Sequence, residues 1–534
     1  MPPLSRIGAR AAAALGKVPL PALLCLLVFA VLYPALGNGF VDWDDVQYVL
    51  SNPALRGSWL DALAFSPGYY HPLTTLTYKL EFVLFGPEPF PFHFTSLALH
   101  LANCASAYWL LTALGARRGA AFLAALLFGV HPVHVEPAAW VSGRKELLWA
   151  LFSSWTLIFY LRFVDTNSKK SFISSLALFL LAVLSKPFAV VLPLVLLLAD
   201  HYRGRAFTAR LMLEKVPYLA IALPLLTLST GPSGFLLEGG AGPVSLLGGA
   251  ASMAGNAFFY ARKLLLPVRL SALYPAPGFS SGAVILPALL LLSVLAAAQL
   301  IKRQPGGAAG PGAGKKIFFG LGFFLATLFP ALIVSPPADR YIYLPALGLF
   351  FLYGEFVLWL YGAARGTGPE GTVSLPGRLV VLLVAAHFLA LGYASARRAP
   401  VWKNSLALWE DVLKNYPGEY MGYYGRGNAF AAAGEYGKAL PDFTRCLELS
   451  PRYWKALNNR ARLYADTKEF DKAIADYGAA IAINPAEPRL FLNRGNAYLL
   501  KGVKARAVED YDRALAIAPG FPPALENRKR AAGR

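Results

Sequence analysis

The chain predicts an all-α protein, a polytopic membrane helical bundle followed by a C-terminal α-solenoid. Three observations predict it. Of 534 residues, 56% are hydrophobic and only 15% charged, and the charge-poor stretches are grouped into runs that suit a bilayer crossing of about 20 residues per helix. Basic residues recur on alternate sides of those runs, as cytoplasmic loops require. From Tyr420 the composition turns polar and a 34-residue period sets in.

The net charge of +20 would point to nucleic acid in a soluble chain. Here lysines and arginines that hold loops on the cytoplasmic side explain it, so no nucleic-acid partner is expected. Cys25, Cys104 and Cys446 lack metal-type spacing and imply neither a disulfide framework nor a zinc site.

Residues 1–17 carry Arg6, Arg10 and Lys17 without an acid, a basic cytoplasmic N-terminus. The apolar run Val18 to Leu36 is longer than the roughly 7–15 residues of a signal-peptide core and reads as an uncleaved first span. The segment Phe40 to Tyr48, with Asp42, Asp44 and Asp45, is then external, at the start of a first external loop over 38–92. Its aromatic stretch from Ser51 to Pro91, with Trp59, Tyr70, His71 and Pro72, is expected to form short interfacial helices.

The second span runs from about His93 to Leu114, the third from Gly119 to Val130, the fourth from Leu147 to Val164, the fifth from Phe172 to Leu184 and the sixth from Pro187 to Leu198. Spans three and six fall short of the 17 or so residues of a full crossing, which predicts help from neighbouring turns or broken helices. Pro217 to Ser229 follows. Leu246 to Leu266 contains Asn256, Tyr260, Arg262 and Lys263, and counting it as a crossing would put Lys302, Arg303, Lys315 and Lys316 outside; it is read as re-entrant or interfacial. Gln304 to Gly314 is a Gly- and Pro-rich linker. Phe318 to Val334, Ile342 to Tyr361 and Leu379 to Ala394 complete about eleven spans, with the N-terminus inside and the C-terminus outside.

Residues 18–396 thus form the membrane domain, 397–419 a linker helix and 420–534 the repeats. Pro451, Pro485 and Pro519, Ala439, Ala473 and Ala507, and Gly427, Ala461 and Gly495 each recur at intervals of 34. This is the tetratricopeptide signature, about three units of it. Each hairpin buries its apolar face only against its neighbours, so the array presents a concave surface suited to a peptide; a docking module without a ligand of its own is the alternative.

Several motifs, in order, resemble a known family: Trp43-Asp44-Asp45, Tyr70-His71-Pro72, His131-Pro132-Val133-His134-Val135-Glu136, Gly143-Arg144-Lys145-Glu146, Ser185-Lys186 and Ala338-Asp339-Arg340-Tyr341-Ile342-Tyr343-Leu344-Pro345. With the repeats, they are similar to the transmembrane and tetratricopeptide-repeat O-mannosyltransferases and their bacterial relatives, in the GT-C superfamily of membrane glycosyltransferases. The resemblance implies a GT-C-like bundle and transfer of a sugar, mannose in the family, from a polyprenyl-phosphate carrier on the exoplasmic face, with an acidic pair in the first external loop at the centre. It further implies a bacterial-type inner membrane, with site and repeats periplasmic. Two departures stand out. Pro187 follows Lys186 where animal members carry an acid, and only three clear repeats are present.

Moving a sugar from a lipid phosphate to a hydroxyl requires a base for the hydroxyl proton and cations for the charge developing on the phosphate. Asp44 is the expected general base, and Asp45 the group orienting the acceptor or a divalent metal; whether a metal is used is left open. Asp42 is the weaker candidate. Arg144, Lys186 and Arg340, with Asp339 and Tyr341 beside Arg340, are expected at the phosphate. His71, His131 and His134 are expected to donate to it, with Glu136 orienting one of them. For each histidine the alternative is a helix end with a satisfied imidazole, and Asp339 and Arg340 could pair with each other. Arg262 and Lys263 could grip the carrier or anchor in headgroups. The expected partners are the membrane lipid carrier and an acceptor polypeptide on the repeats, modified at Ser or Thr. The alternatives are a repeat-bearing membrane scaffold for envelope assembly, a glycolipid-modifying transferase and a transporter.

Overall fold

A computed structural model of the chain describes residues 19–64, 70–230, 246–275, 312–332, 337–364 and 374–533, which are helical and contain no strand. It divides into two compact units, Met1–Lys403 and Asn404–Arg534. The expected basic N-terminus at 1–17 and nearly all of the Gly- and Pro-rich linker lie outside the described residues.

In the first unit, helix α1 (Leu20–Leu32) runs into a 3-10 turn, Tyr33–Gly37, opened by Pro34. The external loop then contains a short helix, Pro53–Arg56, capped by the Asn52 side chain, and α2 (Pro72–Phe85). Helix α2 is inside out. Thr74, Tyr78, Lys79 and Glu81 are buried, while Leu80, Val83, Leu84 and Phe85 are exposed, the polarity of a helix whose outer face meets lipid. The stretch expected to form short interfacial helices thus contains two helices. Helix α3 (Pro89–Ala113) repeats the pattern: His93, Ser96, His100 and Asn103 line its inner stripe, and Phe90 and Phe94 its outer face. His100 Nε2 donates to Gly129 O at 3.0 Å and accepts at Nδ1 from Tyr343 Oη at 2.7 Å, and Asn103 Nδ2 donates to Leu147 O at 2.9 Å. Polar groups facing lipid would find no partners, so they turn inward.

Helix α4 (Arg118–Val130) stops before Pro132, and the chain bends by 54° into the segment Pro132–Ala139. The short third span is thus half of a broken pair. Helices α5 (Arg144–Thr166) and α6 (Lys169–Ser185) form a hairpin turned at Asn167, whose φ is 53°, with Ser168 capping α6. A 3-10 turn, Pro187–Val191, precedes α7 (Leu192–Tyr202), and α8 (Val216–Thr230) follows. At this end Asp200 accepts from Tyr160 Oη at 2.9 Å and pairs with Lys215 and Arg205 at 2.7 Å each. The basic loop is therefore knitted by buried acids.

Helix α9 (Leu246–Leu265) does not follow its neighbours along the bundle. Asn256 Nδ2 donates to Leu332 O at 2.9 Å, Tyr260 Oη accepts from Ala338 N at 3.3 Å, and Leu264 O accepts from His131 Nε2 at 3.0 Å. Leu332 ends α10 (Ala313–Leu332) and His131 ends α4, so three successive turns of α9 run across helix ends, as an interfacial element does. Helices α11 (Ala346–Ala364) and α12 (Leu375–Arg398) complete the unit. Packing of α11 requires glycine: a Cβ on Gly354 would strike the carbonyl of Ala120 on α4.

By length and composition, Leu20–Gly37, Val141–Thr166, Ala313–Leu332, Ala346–Ala364 and Leu375–Trp402 can each cross a membrane, and the bent pair makes up to six such spans among the described residues. The other expected crossings among the described residues are of two kinds. Helix α3 has 25 residues but carries the inward polar stripe, and α6, the segment Pro187–Tyr202 and α8, with 15 residues, are short.

The last residues of this unit return to its first loop. Lys403 O accepts from Gly39 N at 2.9 Å, and Asn38 Nδ2 donates to Ala399 O at 3.0 Å. The expected linker helix over 397–419 is divided accordingly: residues up to 403 belong to the first unit, and helix α13 (Ser405–Asn415) begins the second.

The second unit contains three hairpins: α14 (Tyr420–Ala432) with α15 (Tyr436–Leu449), α16 (Trp454–Asp466) with α17 (Phe470–Ile483), and α18 (Pro488–Leu500) with α19 (Lys504–Ile517), closed by α20 (Pro522–Ala531). The 34-residue positions are those where helices touch. Ala439, Ala473 and Ala507 are fully buried, and a Cβ on Gly427 would meet the Phe443 ring at 2.9 Å. Each hairpin also has a two-pronged ion pair that the period search did not use, Arg426–Asp442, Arg460–Asp476 and Arg494–Asp510, with contacts of 2.7–2.9 Å. All three join the first helix of a hairpin to its second.

Candidate active site

The site is assembled where the loop over 38–92 meets the turn between the bent pair and α5. Asp44 and Asp45 lead into a single π-helical turn, Val46–Leu50. Successive side chains on a helical turn diverge by about 100°, so the two acids cannot face the same way. Asp45 points inward. Its Oδ2 accepts from Val41 N at 3.0 Å, and its Oδ1 from Ser142 N at 3.0 Å and Ser142 Oγ at 2.5 Å. Burial pushes its carboxyl up to about 6, although the bonds from Ser142 and Val41 act in the opposite sense. Both oxygens are engaged, which corrects the expectation that Asp45 meets the acceptor or a metal: it ties the loop to the turn. Asp44 keeps a side chain 28% exposed and lies 3.8 Å from Lys145 Nζ. Asp42 is exposed.

The same divergence sorts residues 142–146. Gly143 lies so close to Pro137 that a Cβ would sit 2.8 Å from its Cα. Arg144 turns into the protein, donating to Glu81 Oε2 at 2.5 Å and Phe92 O at 2.7 Å with its guanidinium over the Tyr78 ring. It is fully buried, which corrects its expected contact with a phosphate, and its neighbour faces the other way. Lys145 faces Asp44, donates to Tyr48 Oη at 3.4 Å and sits over the Tyr48 ring. Sequence reasoning left Lys145 out of the site. Its only signal was adjacency to Arg144, and which of the two faces inward depends on Glu81, far away in α2.

Glu146 pairs with Lys186 Nζ at 2.5 Å. Lys186, at the end of α6, lies 3.7 Å from the Phe188 ring centre and 4.9 Å from that of Tyr341. Burial pulls its ammonium down to about 8 against the attraction of Glu146. Arg340 donates through Nη1 to Glu136 Oε1 at 2.8 Å, and its main-chain N–H donates to Glu136 Oε2 at 3.2 Å; the guanidinium covers Trp140 and Tyr341. Asp44 and Glu136 both stabilise its charge. Glu136 thus orients an arginine, not a histidine. Asp339 points elsewhere: it accepts from Tyr274 Oη at 2.5 Å and pairs with Arg398 at 3.4 Å, with Arg340 acting on it only as a weaker nearby charge. That corrects its assignment to the phosphate.

The histidines divide. His71 lies beside Lys145 and Lys186, whose charges, after burial, hold its imidazole well below the ordinary range and so neutral; its Nδ1 is buried without a hydrogen-bond partner among the described residues. His131 spends its Nε2 on Leu264 O, and His134 Nδ1 donates to Phe128 O at 2.7 Å within a ring cluster of Phe128, Tyr343 and Phe350. His131 is a satisfied core group at a helix end, and His134 keeps a buried Nε2 without a hydrogen-bond partner among the described residues; both lie in the core, which corrects their expected phosphate contacts. Lys263 donates to the carbonyls of Val268 and Arg269 at 2.9 and 2.8 Å and is buried, neither grip nor anchor, while Arg262 is exposed.

Asp44, Lys145, Lys186, Arg340, Tyr341 and His71 therefore gather, with Asp45, Glu136, Glu146 and Arg144 buried behind them. The arrangement couples one partly exposed carboxylate to three cations, each already next to an acid. Among the described residues no group of three or more His, Cys, Asp or Glu side chains could hold a metal.

Comparison with known proteins agrees with the resemblance drawn from the motifs. The family model described as dolichyl-phosphate-mannose-protein mannosyltransferase matches residues 69–231, and tetratricopeptide-repeat models match 420–453, 461–502 and 488–521. The chain is 34% identical over 137 residues to the human protein O-mannosyl-transferase TMTC1, covering 23% of this chain and 16% of that protein. It is 30% identical over 200 residues to the protein O-mannosyl-transferase Tmtc2 of Drosophila melanogaster, covering 34% and 21%. The matched stretch thus spans about a fifth or less of these relatives' lengths. Among solved structures, the first tetratricopeptide domain of Spaghetti (RPAP3) bound to an HSP90 peptide matches at 24% identity and a TM-score of 0.21, over 21% of this chain and 93% of that one.

Proposed function

We propose that the chain transfers a sugar, mannose by likeness to its relatives, from a polyprenyl-phosphate carrier to a hydroxyl of a polypeptide Ser or Thr. The reaction takes place on the exoplasmic face, the periplasmic side of a bacterial-type inner membrane. The observation that carries this reading is the placement of Asp44, a partly exposed carboxylate 3.8 Å from Lys145 and close enough to Arg340 to stabilise its charge.

Asp44 takes the proton of the acceptor hydroxyl as its oxygen forms a bond to the sugar's anomeric carbon. The bond from that carbon to the phosphate oxygen breaks, and the phosphate leaves with the electron pair, gaining a negative charge. Attack opposite the leaving group inverts the anomeric centre. Lys145, Lys186 and Arg340 meet the developing charge, Arg340 presenting a planar fork held by Glu136 and Lys186 a compact ammonium held by Glu146. Neutral His71 is placed to donate or accept at the phosphate edge. Asp45 and Arg144 act through others: they fix the loop and the turn that set the Asp44–Lys145 distance.

Asp44→Asn removes the base while keeping the shape. Transfer from polyprenyl-phosphate mannose to a Ser/Thr peptide, assayed in membranes with equal amounts of assembled protein, should fall by about a hundredfold or more. Full activity in the variant would overturn the assignment.

A further inference from the structure

Beside the base of the site stands an indole. Trp43 precedes Asp44 on a turn fixed at both ends: its main-chain N–H donates to Val41 O at 2.8 Å, and Val41 N donates to Asp45 Oδ2 at 3.0 Å. The Trp43 ring is half-buried and meets that of Trp140 edge to face, at 73° and 6.5 Å between centres. Trp140 is buried and lies under the Arg340 guanidinium, 5.3 Å from its ring centre. Tyr48, Phe188 and Tyr341 likewise face a cation, Lys145 over the first and Lys186 over the other two.

Polar atoms without partners gather around the same cations. Trp140 Nε1, Trp149 Nε1 and Glu146 Oε2 are buried with no hydrogen-bond partner among the described residues. The Trp149 ring centre lies 5.5 Å from Lys186 Nζ, and Glu146 holds that ammonium by its other oxygen. Buried groups left unpaired in a folded protein call for a partner that the chain does not supply. An ionised phosphate accepts hydrogen bonds and donates none, so it leaves Glu146 Oε2 unanswered and repels it. A sugar hydroxyl both donates and accepts. A hexose also has a face of C–H groups, which the flat of an indole covers.

In the transfer described above, Asp44 takes the proton of a hydroxyl that attacks the anomeric carbon opposite the phosphate. The carboxylate and the cations therefore bracket that carbon, and the rest of the sugar ring extends to one side, beside the residues that flank Asp44. Of these, Asp45 is turned into the protein with both oxygens engaged, and Trp43 keeps part of its ring open. We propose that Trp43 is the platform on which the transferred sugar stacks, so that the indole recognises the sugar and the cations recognise the phosphate. It rests on the transferase reading for the identity of the ligand, and places the part of the donor that the cations do not hold.

The test uses the full chain in detergent, titrated by calorimetry with two soluble short-chain carriers: a polyprenyl phosphate, and the same polyprenyl phosphate bearing mannose. The unaltered protein should bind the sugar-bearing carrier about tenfold more tightly than the bare one. Trp43→Leu should shrink that difference to about twofold while leaving the Kd of the bare carrier within about twofold, and Trp43→Phe, which keeps an aromatic face, should fall between. A difference left intact in Trp43→Leu, or equal losses for both carriers, would overturn the proposal, since a merely structural tryptophan moves both together. If the leucine variant does not assemble, hydroxyl-radical footprinting of the unaltered protein decides. Oxidation of Trp43, read by mass spectrometry, should drop with the sugar-bearing carrier and not with the bare one; equal protection by both would count against stacking. Bare carrier bound with no gain from the sugar would remove Trp43 as the platform and leave the transferase reading standing. Binding of neither carrier would remove the transferase reading, and the platform with it.

Discussion

Lys186 must be charged to hold a phosphate, and burial lowers its ammonium from 10.5 to about 8. The consequences for activity and for stability have opposite signs. Between about 8 and 10.5 the unfolded chain binds the proton that the folded chain has released, so the stability contributed at this position rises with pH, while the site loses a cation. Transfer should therefore fall as pH passes about 8 with no parallel loss of folded protein, measured as initial rates beside a thermal melt at each pH. Lys186→Arg, which stays charged throughout, should lose that alkaline limb even if its rate at neutral pH is lower. A limb unchanged in the variant would remove Lys186 from the phosphate. The residue scale is also where the sequence was least legible. Its motifs named the right neighbourhoods, but Asp44 was separable from Asp45, and Lys145 from Arg144, only through the partners that Ser142 and Glu81 provide.

At the scale of elements, the hairpins show how far a pattern can be read. The turn inside each of them needs a left-handed residue at the same register: Gly434 at φ 75°, Lys468 at φ 64° and Gly502 at φ 90°. Two are glycine and the middle one is not. A non-glycine residue in that region costs about 1–2 kcal/mol, so Lys468→Gly should stabilise the repeats by about 0.5 kcal/mol once the greater flexibility of the unfolded glycine, roughly 0.5–1 kcal/mol, is set against it. Resistance of the repeat region to proteolysis across a temperature ramp would read this out, and an unchanged or lower midpoint would contradict it. The membrane elements were legible where apolar composition dominates, as in α1, α10, α11 and α12. They were least so in α2 and α3, whose polar faces turn inward and whose outer faces are apolar, because a linear count of polar residues does not say which way they point. Helix α9 is not among the helices apolar enough to cross a membrane, and its Asn256, Tyr260 and Leu264 bond to Leu332, Ala338 and His131.

For the whole molecule, the decisive matter is sidedness. The first unit ends at Lys403, hydrogen-bonded to Gly39 just before the acidic loop. In a chain cleared of Cys25, Cys104 and Cys446, Gln47→Cys in the loop and Arg452→Cys in the repeats should both react with a membrane-impermeant maleimide on intact cells. Phe207→Cys, in the basic loop at the other end of the bundle, should react only after permeabilisation. Labelling of positions 47 and 452 from opposite sides would end the proposal that sugar donor and acceptor meet in one compartment. By itself the sequence determined the membrane class, the 34-residue array and the chain positions of the charged clusters, because these follow from composition and period, which are properties of the chain in order. Only the tertiary structure decided which member of each adjacent charged pair faces the site. Neighbouring side chains on a helical turn diverge by about 100°, and the inward one is chosen by a partner distant in sequence: Ser142 for Asp45, Glu81 for Arg144, and Tyr274 with Arg398 for Asp339.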